Sequence, residues 1–441
     1  MVYRGRPSRG CKRCRVRRAK CDIRSGACGQ CVELLSCWFF LGPYHHLTGT
    51  SKELTLAIEA VSLAWLWHQI YSDSVLISAR KSYVSALRMA NEVLKTPGTA
   101  TRDTTLMASL LLDFLEKIIN SEPRSSKSWT IHTEGALTMV KLRGLDEFID
   151  RSQICMLMRL STHYTVSCIA SGSPLLETLI TLHNFLGNQL GTQDTGFQLA
   201  DLIMFGYASL CSKTREDTLS FDEIIEWSIA LDRKLKRFYF RLPTRWQHSV
   251  FYSDCKTDRA FDPYYDLYPD ANTCQELNMH RIIRILLNNF FMDHCPTSLA
   301  INQYMALMDS IRTSVHEICA SVPQYLDCKN AARQRLPVSD FDQSSTHRHH
   351  TPDHDLDCCT LIFPLYVVGQ SNIISGARSW VIEQLSYMSD HFRIKKAKTI
   401  ADILEREPTL DPRLRRCSLF LAATPLYLKR VLFSVVTRMF I

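Results

Sequence analysis

Six cysteines fall within 27 residues near the N-terminus, spaced Cys11-x2-Cys14-x6-Cys21-x6-Cys28-x2-Cys31-x5-Cys37. A CxxC pair lets neighbouring thiolates grip one ion without straining the backbone, and a half-site repeated after a basic turn points to a pair of ions. Two tetrahedral zinc ions need about eight metal–sulfur bonds, so six thiolates suffice only if two of them bridge both metals. A segment of about 40 residues buries too little apolar surface to fold unaided and would need the metal. Between Cys11 and Cys31 only Val16, Ile23 and two alanines are aliphatic. A disulfide framework is the competing reading of such spacing. No apolar leader stretch directs this N-terminus to an oxidising compartment, which favours metal.

The residues between the thiols are basic. Lys12, Arg13, Arg15, Arg17, Arg18 and Lys20 follow Arg4, Arg6 and Arg9, and ten Lys/Arg against the single acid Asp22 give residues 1–24 a charge of +9. The whole chain carries +8, so the remaining 417 residues sum to −1. A local patch of this kind is the footprint of phosphate binding, with strong salt dependence. Positions 12–19 read as a short helix with Arg15 and Arg18 at i and i+3 on one face. Arginine there can form two hydrogen bonds to guanine O6 and N7 in the major groove. A nuclear import signal would explain the charge alone; it does not need metal-ligand spacing.

The run RGCKRCRVRRAKCD followed by CGQC resembles the fungal zinc binuclear cluster transcription factors. That resemblance implies two Zn2+ per cluster, with Cys11 and Cys28 bridging and Cys14, Cys21, Cys31 and Cys37 as terminal ligands. It also implies that Arg18 faces the bases with Arg17 beside it, while Arg9, Lys12, Arg13, Arg15 and Lys20 contact DNA around them. CGG triplets, often paired at a spacing set by dimer geometry, are the implied target. The chain departs from the family pattern at Gly26, where proline is usual, and in the five-residue interval before Cys37, where six or more is usual. The apolar Trp38-Phe39-Phe40-Leu41 follows directly. Two readings of Cys37 therefore stay open: the sixth ligand, or the start of the next segment.

Beyond the cluster the chain has a globular composition, 46% hydrophobic and 22% charged, with eleven further cysteines lacking metal spacing. These read as free buried thiols. The most apolar stretch, Cys417 to Ile441, is interrupted by Pro425, Lys429, Arg430 and Arg438, so it fails as a membrane span and reads as a terminal core helix pair. Residues 38–51 form a short linker. From 52 the periodicity is helical, and the pattern predicts helices over 52–70, 75–95, 103–120, 129–143, 151–170, 174–190, 195–212, 219–241, 274–294, 298–321, 356–374, 376–392 and 396–406. No sustained two-residue alternation or hairpin turn signal is present. The expected fold is a small metal-stabilised N-terminal module, residues 1–37, followed by a large all-α domain, residues 52–441, with 328–358 as a flexible loop. Leu54, Ile58, Val61 and Trp65 repeat at 4-3-4 spacing, but two heptads are too few for a coiled coil, so they predict a core helix.

Within the helical region Trp129, His132, Gly135, Ala136, Leu142, Arg143 and Gly144 resemble a pattern of the fungal transcription factor regulatory domain. Weaker echoes lie at Leu231-Asp232, Leu242-Pro243, Trp246, Ile282–Leu287, Phe363-Pro364-Leu365, Trp380 and Glu383. Asp103 is a candidate N-cap and Gly144 a C-cap. Gly135 inside a helix costs about 1 kcal/mol relative to alanine, which predicts close packing against another helix. His132 has no carboxylate or thiol at helical spacing and reads as a hydrogen-bonded core or boundary histidine. The cluster His347, His349, His350, Asp353, His354, Asp355, Asp357, Cys358 and Cys359 matches no metal-ligand pattern. No GxSxG, GxxxxGK[ST], HExxH or GxGxxG signature occurs, so no enzyme is expected.

The expectation is a nuclear, sequence-specific DNA-binding regulator of RNA polymerase II transcription in a fungus. Its implied partners are double-stranded DNA, a second copy of the chain, and co-regulators or the transcription machinery, with no membrane. The alternative is an interaction regulator whose degenerate zinc cluster does not bind DNA.

Overall fold

The computed structural model describes residues 51–70, 72–119, 131–171, 173–191, 194–252, 259–269, 271–294, 301–327, 358–371 and 373–406. The chain over these ranges is almost entirely helical. The first helices are α1 (Lys52–Ile70), α2 (Asp73–Leu94), α3 (Asp103–Ile119), α4 (Ile131–Arg143), α5 (Arg151–Ser171) and α6 (Glu177–Leu190). There follow α7 (Thr195–Asp201), a π-helical turn (Leu202–Ala208), α8 (Ser209–Arg215) and α9 (Phe221–Phe240). The last group is α10 (Ala271–His294), α11 (Ile301–Ala320), α12 (Ile362–Ser371), α13 (Ala377–His391) and α14 (Lys395–Arg406).

Two apolar cores organise these helices. In the first, α1 and α2 lie against each other through short side chains: Ala57, Ala60 and Ala64 of α1 and Ala79, Ala86 and Ala90 of α2 are all buried. Small residues on facing ridges let two helices approach closely. Leu54, Ile58 and Val61 are buried in the same core, as the 4-3-4 spacing predicted for a core helix. Helix α3 adds Leu106, Leu110, Leu111, Phe114 and Leu115. The second core is built on α10 to α14, where Ile282, Ile283, Ile285 and Leu287 meet Val315, Ile318, Phe363, Val381 and Leu404. Helix α5 serves both, with Leu157 and Leu160 in the first and Ile169 in the second, and Leu175 packs against each.

Local signals explain several ends. Ser220 and Glu223 form a reciprocal capping box at α9, its carboxylate taking the Ser220 N–H at 2.8 Å. Asp194 caps α7 by accepting the Phe197 N–H at 2.8 Å. Gly144 ends α4 at φ +88°, a conformation disfavoured for L side chains, and its N–H reaches the Val140 carbonyl at 3.0 Å. The predicted C-cap is therefore present.

Four expectations need correction. The stretch 195–212 is not one helix: a π-helical turn interrupts it where Gly206 meets Leu231, an ideal Cβ on Gly206 lying 2.4 Å from Leu231 Cδ1. An antiparallel hairpin, β1 (Ser249–Tyr252) with β2 (Tyr264–Leu267), lies between α9 and α10 in register Ser249↔Leu267 to Tyr252↔Tyr264. Every residue of β1 is exposed, so no alternation of burial marked it. Asp103 is the first residue of α3 and not its cap; its carboxylate ties helices together, as described below. Gly135 is exposed, with nothing within 4 Å of where its Cβ would sit, and the close helix contact expected of it is absent; the adjacent Ala136 is buried instead. The structure offers no packing reason for this glycine.

The predicted loop over 328–358, except Cys358, and the predicted helix pair after Cys417 lie outside the described residues. Among the described residues no helix is long and apolar enough to cross a membrane.

Candidate functional site

The predicted metal ligands Cys11, Cys14, Cys21, Cys28, Cys31 and Cys37 lie outside the described residues. So do the predicted DNA contacts Arg9, Lys12, Arg13, Arg15, Arg17, Arg18 and Lys20, and the linker 38–50. Within the described residues the chemistry concentrates in two polar clusters, one around the sequence pattern at 132–144 and one buried along α10.

The first cluster joins α2, α3, α4 and α5. His132 Nε2 lies 3.0 Å from Glu116 Oε1, and the Tyr83 hydroxyl donates to the same oxygen. The histidine is a hydrogen-bonded boundary residue, and its carboxylate partner comes from α3 rather than from its own helix. Arg143 pairs with Asp103, stacks its guanidinium 4.1 Å from the Phe148 ring centroid, and donates to the Glu147 carbonyl at 3.2 Å. Gln153 Nε2 donates to the other Asp103 oxygen at 3.0 Å, while its Oε1 accepts the N–H groups of Ile149 and Asp150 and so holds the start of α5. The histidine and arginine of the pattern are thus structural tethers.

The second cluster follows one face of α10. Arg281 is fully buried; its Nε donates to Glu317 Oε2 at 3.0 Å and its Nη1 to Asn278 Oδ1 at 2.8 Å. The Tyr268 ring lies 5.5 Å from the guanidinium carbon. Tyr268 is clamped in turn: its backbone N–H donates to Gln324 Oε1 at 2.7 Å, its carbonyl accepts from Gln324 Nε2 at 2.9 Å, and its hydroxyl donates to Asp266 at 3.0 Å. Farther along, Arg284 and Asn288 both donate to Ser310 Oγ, at 2.7 and 2.9 Å. These bonds fix α10, α11 and β2 against one another.

The protonation states here are set by burial. Burial pulls His280 down to about 4, against the raising effect of its bond to the Leu235 carbonyl at 2.8 Å, so its imidazole is neutral at physiological pH. Burial likewise pushes the Cys274 thiol up to about 11. His248 is lowered and Asp266 raised by burial, each opposed by the charge of the other across 3.4 Å. Groups held in single states suit a rigid scaffold better than proton exchange. Cys168, Cys274, Cys319, Cys358 and Cys359 are buried thiols outside any disulfide, as expected, with Cys155 and Cys211 partly buried. Burial raises Cys168 to about 12 and Cys155 to about 11. Among the described residues no three His, Cys, Asp or Glu side chains group as metal ligands.

The α10 cluster was missed from sequence. The signal was available in HRIIRILLNN, where charged residues punctuate an apolar run at helical spacing; charges so placed are buried with partners.

The fungal specific transcription factor domain matches residues 40–334, about two thirds of the chain, and the chain belongs to that family. It is a fungal transcription regulator by that membership. No curated protein matches the sequence, and no solved structure does either. The second core runs past the matched span: α12, beyond residue 334, packs with α10 and α11, and α13 and α14 pack in turn with α12.

Proposed function

We propose that this chain is a sequence-specific DNA-binding regulator of RNA polymerase II transcription, acting in the nucleus through an N-terminal zinc binuclear cluster. The observation that carries the reading is the coincidence, in one chain, of six cysteines at ligand spacing, a +9 charge within residues 1–24, and a transcription factor domain from residue 40. The donor set fits zinc: six thiolates satisfy two tetrahedral ions when Cys11 and Cys28 are shared. The metal would supply folding free energy to a segment too small to hold itself together.

On this reading residues 1–37 are the DNA-binding module, 38–51 the linker and 52–441 the regulatory domain. Arg17 and Arg18 face guanines of a CGG triplet. Arg9, Lys12, Arg13, Arg15 and Lys20 neutralise phosphates. The helical region is a regulator's scaffold and not an enzyme, consistent with the structural roles of His132 and Arg143.

Binding of the full chain to duplexes with and without a CGG triplet tests this. Arg18→Ala should cost about 1–3 kcal/mol on the triplet duplex and relax specificity there. Equal weakening on both duplexes would reject base reading by Arg18. The second reading, an interaction regulator that does not bind DNA, is favoured by the five-residue interval before Cys37; it predicts no zinc pair and no preference for the triplet.

A further inference from the structure

Helix α9 buries Ile224, Ser228, Leu231, Leu235 and Phe238, packs Trp227 and Tyr239 partly against the same core, and exposes its opposite face. Its C-terminal half carries Arg233, Lys234, Lys236 and Arg237, with Arg241 at its C-cap, all exposed. Lys236 is paired with Asp232 at 2.7 Å. Arg233, Lys234, Arg237 and Arg241 have no carboxylate partner among the described residues. Lys234, Arg237 and Arg241, at i, i+3 and i+7, form one stripe about 10 Å long. This concentration stands in a part of the chain, residues 25–441, whose charge sums to −1.

A helix attracts cations to its C-terminus through its dipole, but that effect fades within the last turn. It covers Arg237 and Arg241 and leaves Arg233 and Lys234 unexplained. A solvated helix face also carries mixed charges as a rule, whereas the exposed charged positions from 233 to 241 are all cationic and the one acid of this half, Asp232, is half-buried and paired with Lys236.

We propose that this face of α9 is a second DNA contact, holding phosphates of the duplex that the N-terminal cluster reads. The inference rests on the DNA-binding reading above. The linker of residues 38–51 spans at most about 50 Å when fully extended, which is comparable with the width of a helical body of this size. The helical region is therefore tethered beside any DNA the cluster holds, and a cationic face there meets phosphate at high effective concentration. Three cations on one edge match a polyanion and ask for no sequence. The contact adds affinity without specificity. Phe240, 85% exposed beside these cations on the same helix, is a feature a phosphate contact does not use; an acidic protein segment with an apolar anchor would use it.

The test compares the full chain with the triple variant Lys234→Gln/Arg237→Gln/Arg241→Gln. The probes are a CGG duplex, a scrambled duplex of equal length, and poly-L-glutamate, titrated by fluorescence anisotropy between about 50 and 200 mM salt. The substituted positions are exposed, so circular dichroism should be unchanged. The expected result is equal loss of affinity on both duplexes, with the slope of log K against log salt shallower by about 2–3, roughly 0.9 per phosphate contact removed. An unchanged slope in a chain that still prefers the triplet would overturn this contact and leave the DNA-binding reading intact. Failure of the unaltered chain to bind either duplex would overturn both. Loss confined to poly-L-glutamate, with DNA binding untouched, would assign the face to an acidic protein and overturn the proposal.

Discussion

Arg281 of α10, with no exposed side-chain surface, donates through Nε to the Glu317 carboxylate of α11 at 3.0 Å, while the Glu317 side chain keeps about a quarter of its surface in solvent. The pair joins two helices of the second core at a point where the charged partner cannot reach water by itself. An unaccompanied charge in such a place is costly, and the surrounding bonds from Asn278 and the Tyr268 ring only partly offset that cost.

Glu317→Ala should therefore destabilise the chain by about 2–3 kcal/mol, less than the range for a wholly buried pair because the carboxylate is partly wet. Arg281→Met/Glu317→Leu should recover most of that loss. Urea unfolding of the full chain measures both. A single variant as stable as the parent would mean that the pair holds nothing.

The neutral state of His280 sets a pH dependence. Its pKa is depressed to about 4 by burial, with Arg284 and Arg281 lowering it further and the Leu235 carbonyl and Asp232 raising it. A group depressed in the folded state contributes full stability above its unfolded pKa of about 6.5. That contribution is lost as pH falls from there through about 4, amounting to about 3 kcal/mol. Asp266, raised by burial, works in the opposite direction over acid pH. Stability of the parent should fall between pH 6.5 and 4, and His280→Gln should flatten the fall. Parallel curves for parent and variant would contradict this.

Gly144 occupies φ +88° at the end of α4. Replacement by alanine strains the backbone whatever the space, and Gly144→Ala should cost about 1–3 kcal/mol in thermal unfolding. Gly135→Ala, at an exposed helical position with room for a methyl group, should instead stabilise by about 1 kcal/mol or less. The two changes in one sequence pattern should thus have opposite signs.

Gly206 meets the buried Leu231 side chain across the interface of the π-helical turn and α9. Gly206→Ala forces that side chain aside and should cost about 1–3 kcal/mol. Combined with Leu231→Val the cost should shrink, giving a coupling measurable in a double-mutant cycle. Strict additivity would show that the contact is not limiting.

Most helices were legible because their apolar positions recur at helical spacing between plain stop signals. Lys95-Thr96-Pro97-Gly98 ends α2, and Gly144 ends α4. The π-helical turn was not legible, since Leu202–Ala208 continues the apolar pattern of its neighbours and only the close approach of Gly206 to Leu231 distinguishes it. The hairpin escaped for a different reason: β1 is exposed at every residue and relies on cross-strand stacking such as Phe251 on Tyr265, which a burial pattern does not reveal. Asp103 reads as a cap from sequence because its real partners, Arg143 and Gln153, are 40 and 50 residues away. The proposed zinc cluster, by contrast, rests entirely on local spacing of residues outside the described ones.

The central claim is most directly tested by the zinc content of the full chain, measured by native mass spectrometry beside Cys37→Ser. Two zinc ions per chain, falling with the substitution, are the predicted result and would make Cys37 the sixth ligand. One zinc or none in the unaltered chain would contradict the binuclear cluster and favour a regulator that works without reading DNA.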